Sequence, residues 1–249
     1  MKYEIMQQQY VDFLNTLTTP QASNRYSASS TGYRYGITAS SGVYSTTYPF
    51  VACNYLSWAD LAAYLDWSGL RPMTELEYEK SCRGTISAIS GELAWGSTSA
   101  TQNTGIYRDG FYDETSSNSG NCTFGWPKPP VPGPMRVGAF ATSSSTRVTS
   151  GATYYGIMEM SGNVWERPVT IGNVAGRSFT GLHGDGLLHA TGNADVTNWP
   201  GTDAEGSGFR GGGCHDDGSG LPVSGRISAA STGNSREGVY GGRGVRAAP

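Results

Sequence analysis

The sequence predicts one domain in which short helices and short strands carry long, ordered, glycine-rich loops. Three observations lead there. Two capped helical segments follow one another between residues 57 and 84. Glycine (36) and tyrosine (15) are over-used in 249 residues while charged residues make up only 15%. That profile fits loop-rich extracellular or virion-type proteins better than a helical enzyme rich in Ala, Leu, Glu and Lys. Last, residues 208–246 place polar sequence with little hydrophobic pattern between two similar Arg/Gly frames, Phe209-Arg210-Gly211-Gly212 and Gly241-Gly242-Arg243-Gly244-Val245-Arg246. Only Leu221, Val223 and Ile227 interrupt that polar middle.

Taken in order, residues 6–17 put Met6, Tyr10, Phe13, Leu14 and Leu17 at helical spacing, which predicts a first amphipathic helix. The Ser-, Thr-, Tyr- and Gly-rich stretch to residue 50 reads as short strands and loops. Ser57 with Asp60 forms a capping-box start, and the helix WADLAAYLDW stops at Gly69. Its expected buried face is Trp58, Leu61, Ala62, Tyr64 and Leu65. After the turn Leu70-Arg71-Pro72-Met73, Thr74 and Glu77 make a second capping box, and that helix ends at Gly84. From residue 94 to 150 the chain is irregular, with WPKPPVPGP (126–134) at its centre excluding helix. Residues 133–141, GPMRVGAFA, read as one strand. No repeat and no composition shift divides the chain, so 1–249 is expected to be a single domain.

Composition narrows the function. The net charge of −3, with no basic stripe, argues against nucleic acid as a partner. No stretch of about 18 apolar residues predicts membrane insertion, and the polar N-terminus does not read as a signal peptide. Cys53, Cys82, Cys122 and Cys214 are widely spaced with no CxxC pair, so neither zinc nor a disulfide scaffold follows.

The motifs carry a family resemblance. LSWADLAAYLDWSGLRPMTELEYEKSCRG (56–84), Trp95-Gly96, GIMEMSGNVWE (156–166), Phe209-Arg210-Gly211-Gly212 and Gly244-Val245-Arg246 stand in the order seen in the formylglycine-generating-enzyme/sulfatase-modifying superfamily. The resemblance implies an α+β, C-type-lectin-like fold: a small twisted antiparallel sheet, two or three short helices and long glycine-rich ordered loops. Oxidase members use a cysteine pair shortly after the C-terminal Gly-Gly, where a thiolate binds copper or is oxidised. Here those places fall near Asp217 and Pro222, and the partner expected for Cys82 falls near Ile227, so the oxidase chemistry lacks its residues. Iron-dependent members need several histidines; His183, His189 and His215 form no H-x-x-x-H pattern.

The C-terminal stretch is similar to that of the variable proteins of diversity-generating retroelements, which share the fold. On that likeness the frame is Phe209, Arg210, Gly211, Gly212, Leu221, Val223, Arg226, Ala229, Ala230, Arg236, Gly241, Gly242 and Arg243. Ligand-binding, variable positions are then Gly213, Cys214, His215, Asp216, Asp217, Ser219, Gly220, Gly225, Ile227, Ser228, Gly233, Asn234 and Glu237. Arg226 and Arg243, with Arg71 and Arg83, are expected to satisfy loop carbonyls, because guanidinium offers five donors. Trp58, Trp67, Trp95 and Trp165 are expected in the core. Asn163 matches a residue that helps hold a structural calcium in oxidase relatives, and Asn103 marks a second such position; a plain Asn turn is the alternative. No other cofactor is required. The expectation is a non-catalytic protein that recognises a protein or glycan ligand on a host or target surface, with a virion or cell-surface location. The alternative is a superfamily enzyme of unknown substrate, using the histidines or Cys214.

Overall fold

The computed structural model describes residues 1–125 and 131–247, so most of the proline-rich centre (126–130) lies outside the described residues. Among the described residues are five helices and three two-stranded antiparallel sheets, joined by long turns: a mixed α and β fold with little regular structure. None of the helices is long and apolar enough to cross a membrane.

Helix α1 (Gln7–Thr16) buries Tyr10, Val11, Phe13 and Leu14. Helix α2 (Thr19–Arg25) was not legible as a helix; Thr18 caps it, with Gln21 closing the box and Pro near its first turn. Strands β1 (Ile37–Ser40) and β2 (Val43–Thr46) form a hairpin. Its turn residues Ser41 and Gly42 both take positive φ (51° and 80°), as the twist of a two-residue hairpin turn requires. Helix α3 (Trp58–Trp67) starts where Ser57 Oγ accepts from the Asp60 amide at 3.2 Å. It is buried from Trp58 through Asp66, more than the one face expected, because packed loops cover its far side. Phe13, Tyr64 and Leu65 meet in one core cluster, and Trp67 lies half-buried against it.

Strand β3 (Arg71–Pro72) precedes helix α4 (Glu75–Arg83). Glu77 caps the amide of Thr74 at 2.9 Å and also receives both Arg71 nitrogens, Nη2 at 2.5 Å and Nη1 at 2.9 Å. One carboxylate thus fixes the turn and the helix start. Gly84 ends α4 at φ 65°, where a Cβ would strike the Tyr154 ring. Strands β4 (Ile106–Tyr107) and β5 (Thr115–Ser116) pair beyond it, and the short helix α5 (Val174–Arg177) follows later. Strand β6 (Gly244–Val245) pairs with β3, tying the end of the chain to the Arg-Pro turn. The strand expected at 133–141 is absent: Arg136 makes one bridge to Val51, and the neighbouring residues turn. The chain turns directly after that bridge, with Gly138 at φ 71° and the Ala139 amide bonded to Arg136 O, while Glu114 takes the outward-facing Arg136 amide at 2.8 Å.

Candidate functional site: the C-terminal face

The C-terminal segment is pinned from three sides. Leu221 and Val223 enter the second core cluster with Tyr78, Cys82, Trp95 and Met160. Ser161, the turn serine of GIMEMSGNVWE, accepts from the Ala94 amide at 3.1 Å and donates to Leu221 O at 2.8 Å. Backbone bonds then run along 162–166: Gly162 to Gly211 O, Trp165 to Val239 O, and a reciprocal pair between Glu166 and Arg210 at 2.9 Å. A single small hydroxyl therefore joins three distant loops.

Arginines complete the frame, though not all those expected. Arg243 is buried and behaves as predicted, donating to Lys2 O at 3.1 Å and Glu159 O at 3.3 Å while pairing with Glu166 at 2.5 Å. Arg226 does not serve carbonyls. It lies half-exposed across helix α4 and pairs with Glu75 at 3.1 Å and with Glu79. Arg83 likewise spends itself on Glu79 and Glu92, and Arg71 reaches only the Pro72 carbonyl besides Glu77. The acidic side of α4 captures these cations first, because carboxylate bonds are stronger than carbonyl bonds. Loop carbonyls are held instead by Arg136, Arg147, Arg167 and Arg236. Arg147, for example, reaches Cys82 O at 2.9 Å and Ala94 O at 3.0 Å.

Burial along 209–243 separates two kinds of position. Phe209, Arg210, Gly211, Gly212, Leu221, Val223, Ala229, Gly241, Gly242 and Arg243 are buried, whereas Arg226 and Ala230 are exposed and Arg236 is intermediate. Asp217, Ser219, Ile227, Asn234 and Glu237 are exposed, and His215, Asp216, Gly225, Ser228 and Gly233 are partly so. Three residues expected at the surface are buried. Cys214 is 1% exposed, with its amide on Asn163 O. A Cβ on Gly220 would sit 2.5 Å from the Trp165 ring, and one on Gly213 would sit 2.9 Å from Val239. Gly213, Cys214 and Gly220 therefore shape the backbone and offer no side chain to a ligand.

Trp165 also departs from expectation. Trp58 and Trp95 are core residues, but Trp165 is half-buried. It floors an open depression of about 360 Å³ lined by His215, Asp216, Asp217, Ser219, Ile227 and Ser228. Asp216 accepts from the Gly213 amide at 2.6 Å; burial raises its carboxyl, while the Gly213 and Trp165 donors hold it back. Asp217 accepts from the Ser219 amide at 2.9 Å, and the Ser219 bonds lower its carboxyl. Behind the floor, Phe209 meets Trp165 edge-on at 6.1 Å, and the Arg167 guanidinium lies 4.2 Å from the Phe209 centroid. Burial pulls Arg167 down to about 10, and its Nη2 holds Gly233 O at 2.7 Å.

The N-terminal half contributes residues that sequence reasoning missed. Tyr33 bonds His215 Nδ1 at 2.5 Å and packs against Tyr55 at 6.3 Å. Both tyrosines have positive φ (48° and 57°), and Asn54 holds Tyr33 O and Gly238 O at 2.9 Å each. The one available signal was the Tyr-rich composition of that stretch, which does not reveal which rings reach the C-terminal face.

Chemistry-bearing groups elsewhere are spread out. All four cysteines are free and buried, and burial pushes the thiols up, Cys82 to about 12 and Cys53, Cys122 and Cys214 likewise upward. His183 accepts from the Ala247 amide and His189 bonds Thr191, both away from His215. Among the described residues no group of three His, Cys, Asp or Glu side chains is placed to hold a metal ion. Asn163 (φ 68°) accepts from the Met135 amide at 2.7 Å and donates to Glu4 at 2.6 Å. Asn103 accepts from Ser116 Oγ at 2.7 Å and, more loosely, from the Gly105 amide. Each amide oxygen accepts from at least one protein donor.

Among the described residues this is a loop-rich scaffold with an open depression on its C-terminal face. Residues 1–210 match the family model described as the sulfatase-modifying factor enzyme 1-like domain, and the chain belongs to that family. No curated protein matches the chain. The match ends at Arg210, so most of the framed segment lies beyond it.

Proposed function

We propose that this chain is a non-catalytic ligand-binding protein on a C-type-lectin-like scaffold, with the recognition surface in residues 213–239. In this reading the surface is diversified by a retroelement and engages a protein or glycan on a host or target surface. The observation that carries the reading is the division of burial along 209–243. Most frame residues are buried, Arg226, Ala230 and Arg236 excepted, and His215, Asp216, Asp217, Ser219, Ile227 and Ser228 line a depression beyond the end of the family match. Such a division lets surface side chains change without altering the core, since substitutions away from buried features have small effects on stability. Family membership alone does not separate enzyme from binder, because function lives in the site and not in the fold.

The experiment is a pulldown against surface proteins of a candidate host. The chain is compared with a variant in which His215, Asp217, Ser219, Ile227, Asn234 and Glu237 are exchanged together. The captured set is expected to change or vanish; an unaltered set overturns the reading.

A further inference from the structure

We infer that the open groove between residues 115–120, strand β5 and the turn after it, and the loop 140–149 is a second binding site, for a neutral saccharide. The groove holds about 420 Å³, within the range of about 300–1,000 Å³ typical of ligand sites. It shares no lining residue with the Trp165 depression, so it stands or falls independently of the recognition surface.

Its chemistry is uniform although its segments are distant in sequence. Among the described residues lining it, all but Gly120 and Phe140 are Ser, Thr or Asn, and none carries a charge. Charged neighbours in the chain are engaged elsewhere. Glu114 is buried against Arg34, Arg136 holds the carbonyls of Glu114, Val137 and Gly138, and Arg147 holds those of Cys82 and Ala94.

The hydroxyls are pre-arranged, and several have already spent their protons. Thr115 Oγ1 donates to Ala139 O at 2.8 Å and Ser145 Oγ to Phe140 O at 3.2 Å. Ser116 Oγ shares its proton between the amide oxygens of Asn103 and Asn118, 2.7 Å from each. A hydroxyl has one proton and two lone pairs, so what these side chains still offer is acceptance. A ligand rich in O–H donors answers them. A carboxylate or phosphate would set oxygen against oxygen, a cation would find no counter-charge, and an apolar group would leave the hydroxyls unpaired. Phe140, 6% exposed, adds a small apolar area for the C–H face of a sugar.

A separate observation points the same way. Asn103, bonded to Ser116, is 0% exposed, and its Nδ2 meets no acceptor among the described residues. A buried donor left so is costly, and a sugar hydroxyl entering beside Ser116 would accept from it.

For the test, full chains carried in many copies on beads, so that a weak site registers, are offered an array of neutral and acidic glycans and a displayed heptapeptide library. Neutral glycans are expected to be retained, and one of them is then titrated by ligand-observed NMR. The double variant Ser119→Ala/Ser144→Ala, both sites being exposed, is expected to keep the parent melting curve and bind that sugar about tenfold more weakly. Retention of acidic glycans or peptides alone, or of nothing, overturns the assignment. So does a neutral sugar bound equally by the double variant. A sugar lost instead on exchange of His215, Asp217, Ser219, Ile227, Asn234 and Glu237 belongs to the C-terminal face and also overturns it.

Discussion

Arg210 Nη1 lies 2.8 Å from Glu75 Oε1, and neither side chain has more than 1% of its surface in water. The same guanidinium also reaches Glu79 at 3.0 Å and the Val223 carbonyl, and lies 4.9 Å from the Tyr78 centroid. Helix α4 thereby clamps the start of the C-terminal segment. Removing one partner strands a buried charge. Arg210→Met is expected to cost about 3–5 kcal/mol, read as a fall in the urea midpoint. A loss below about 1 kcal/mol, the level of an exposed ion pair, would contradict the clamp.

The three apolar residues of that segment divide in the same way. Leu221 is 3% exposed and Ile227 is 80% exposed. Leu221→Ala is expected to destabilise by about 2–5 kcal/mol through a core cavity. Ile227→Asn is expected to stay within about 0.5 kcal/mol of the parent. Equal effects in thermal melts would mean that Ile227 is packed.

Glycines along the segment are not equivalent. A Cβ at Gly208 would fall 1.8 Å from Ala229 O, which is backbone and cannot swing away, whereas one at Gly233 would meet its nearest atom at 3.5 Å. Gly208→Ala is expected to lower stability by about 1–3 kcal/mol by overpacking. Gly233→Ala is expected to be near neutral in the same denaturation assay.

Beneath the segment, three buried carboxylates surround Arg243. Burial lifts Glu159 to about 7, against an ordinary value of 4.5, although Arg243 opposes the shift; Glu4 and Glu166 are lifted for the same main reason. The folded protein thus keeps protons that the unfolded chain releases. The contribution of Glu159 to stability is fully present below about pH 4.5 and is lost as the pH rises through about 7, and those of Glu4 and Glu166 run in the same direction. Glu77 and Glu79, whose carboxyls are lowered, act below that window. Urea midpoints at roughly pH 5 and pH 7.5 should therefore differ by on the order of 1–3 kcal/mol, with the acid side more stable. Glu159→Gln should shrink the difference. A midpoint that rises with pH would contradict the assignment.

Much of the scaffold was legible because its signals are local. The two capping boxes and Gly84 lie within a few residues of the helices they delimit, and α3 and α4 begin where Ser57 and Thr74 indicate. Helix α2 was hidden in a polar run whose cap, Thr18, precedes too few apolar residues to show a period. The strand expected at 133–141 failed because the chain turns after Val137, with Gly138 at φ 71° and the Ala139 amide on Arg136 O. At the site, the frame could be read from its Gly and Arg pattern, but the roles of Arg226, Gly213 and Gly220 could not. Those depend on Glu75, Glu79, Val239 and Trp165, which the fold brings from elsewhere in the chain.

The central claim is that a fixed frame carries an exchangeable face. A display library randomised at His215, Asp217, Ser219, Ile227, Asn234 and Glu237 together, sorted for resistance to protease, tests it most directly. Most members are expected to remain as resistant as the parent, because these side chains carry little of the stability. Loss of resistance in most members would show that these residues hold the fold, and would contradict the account.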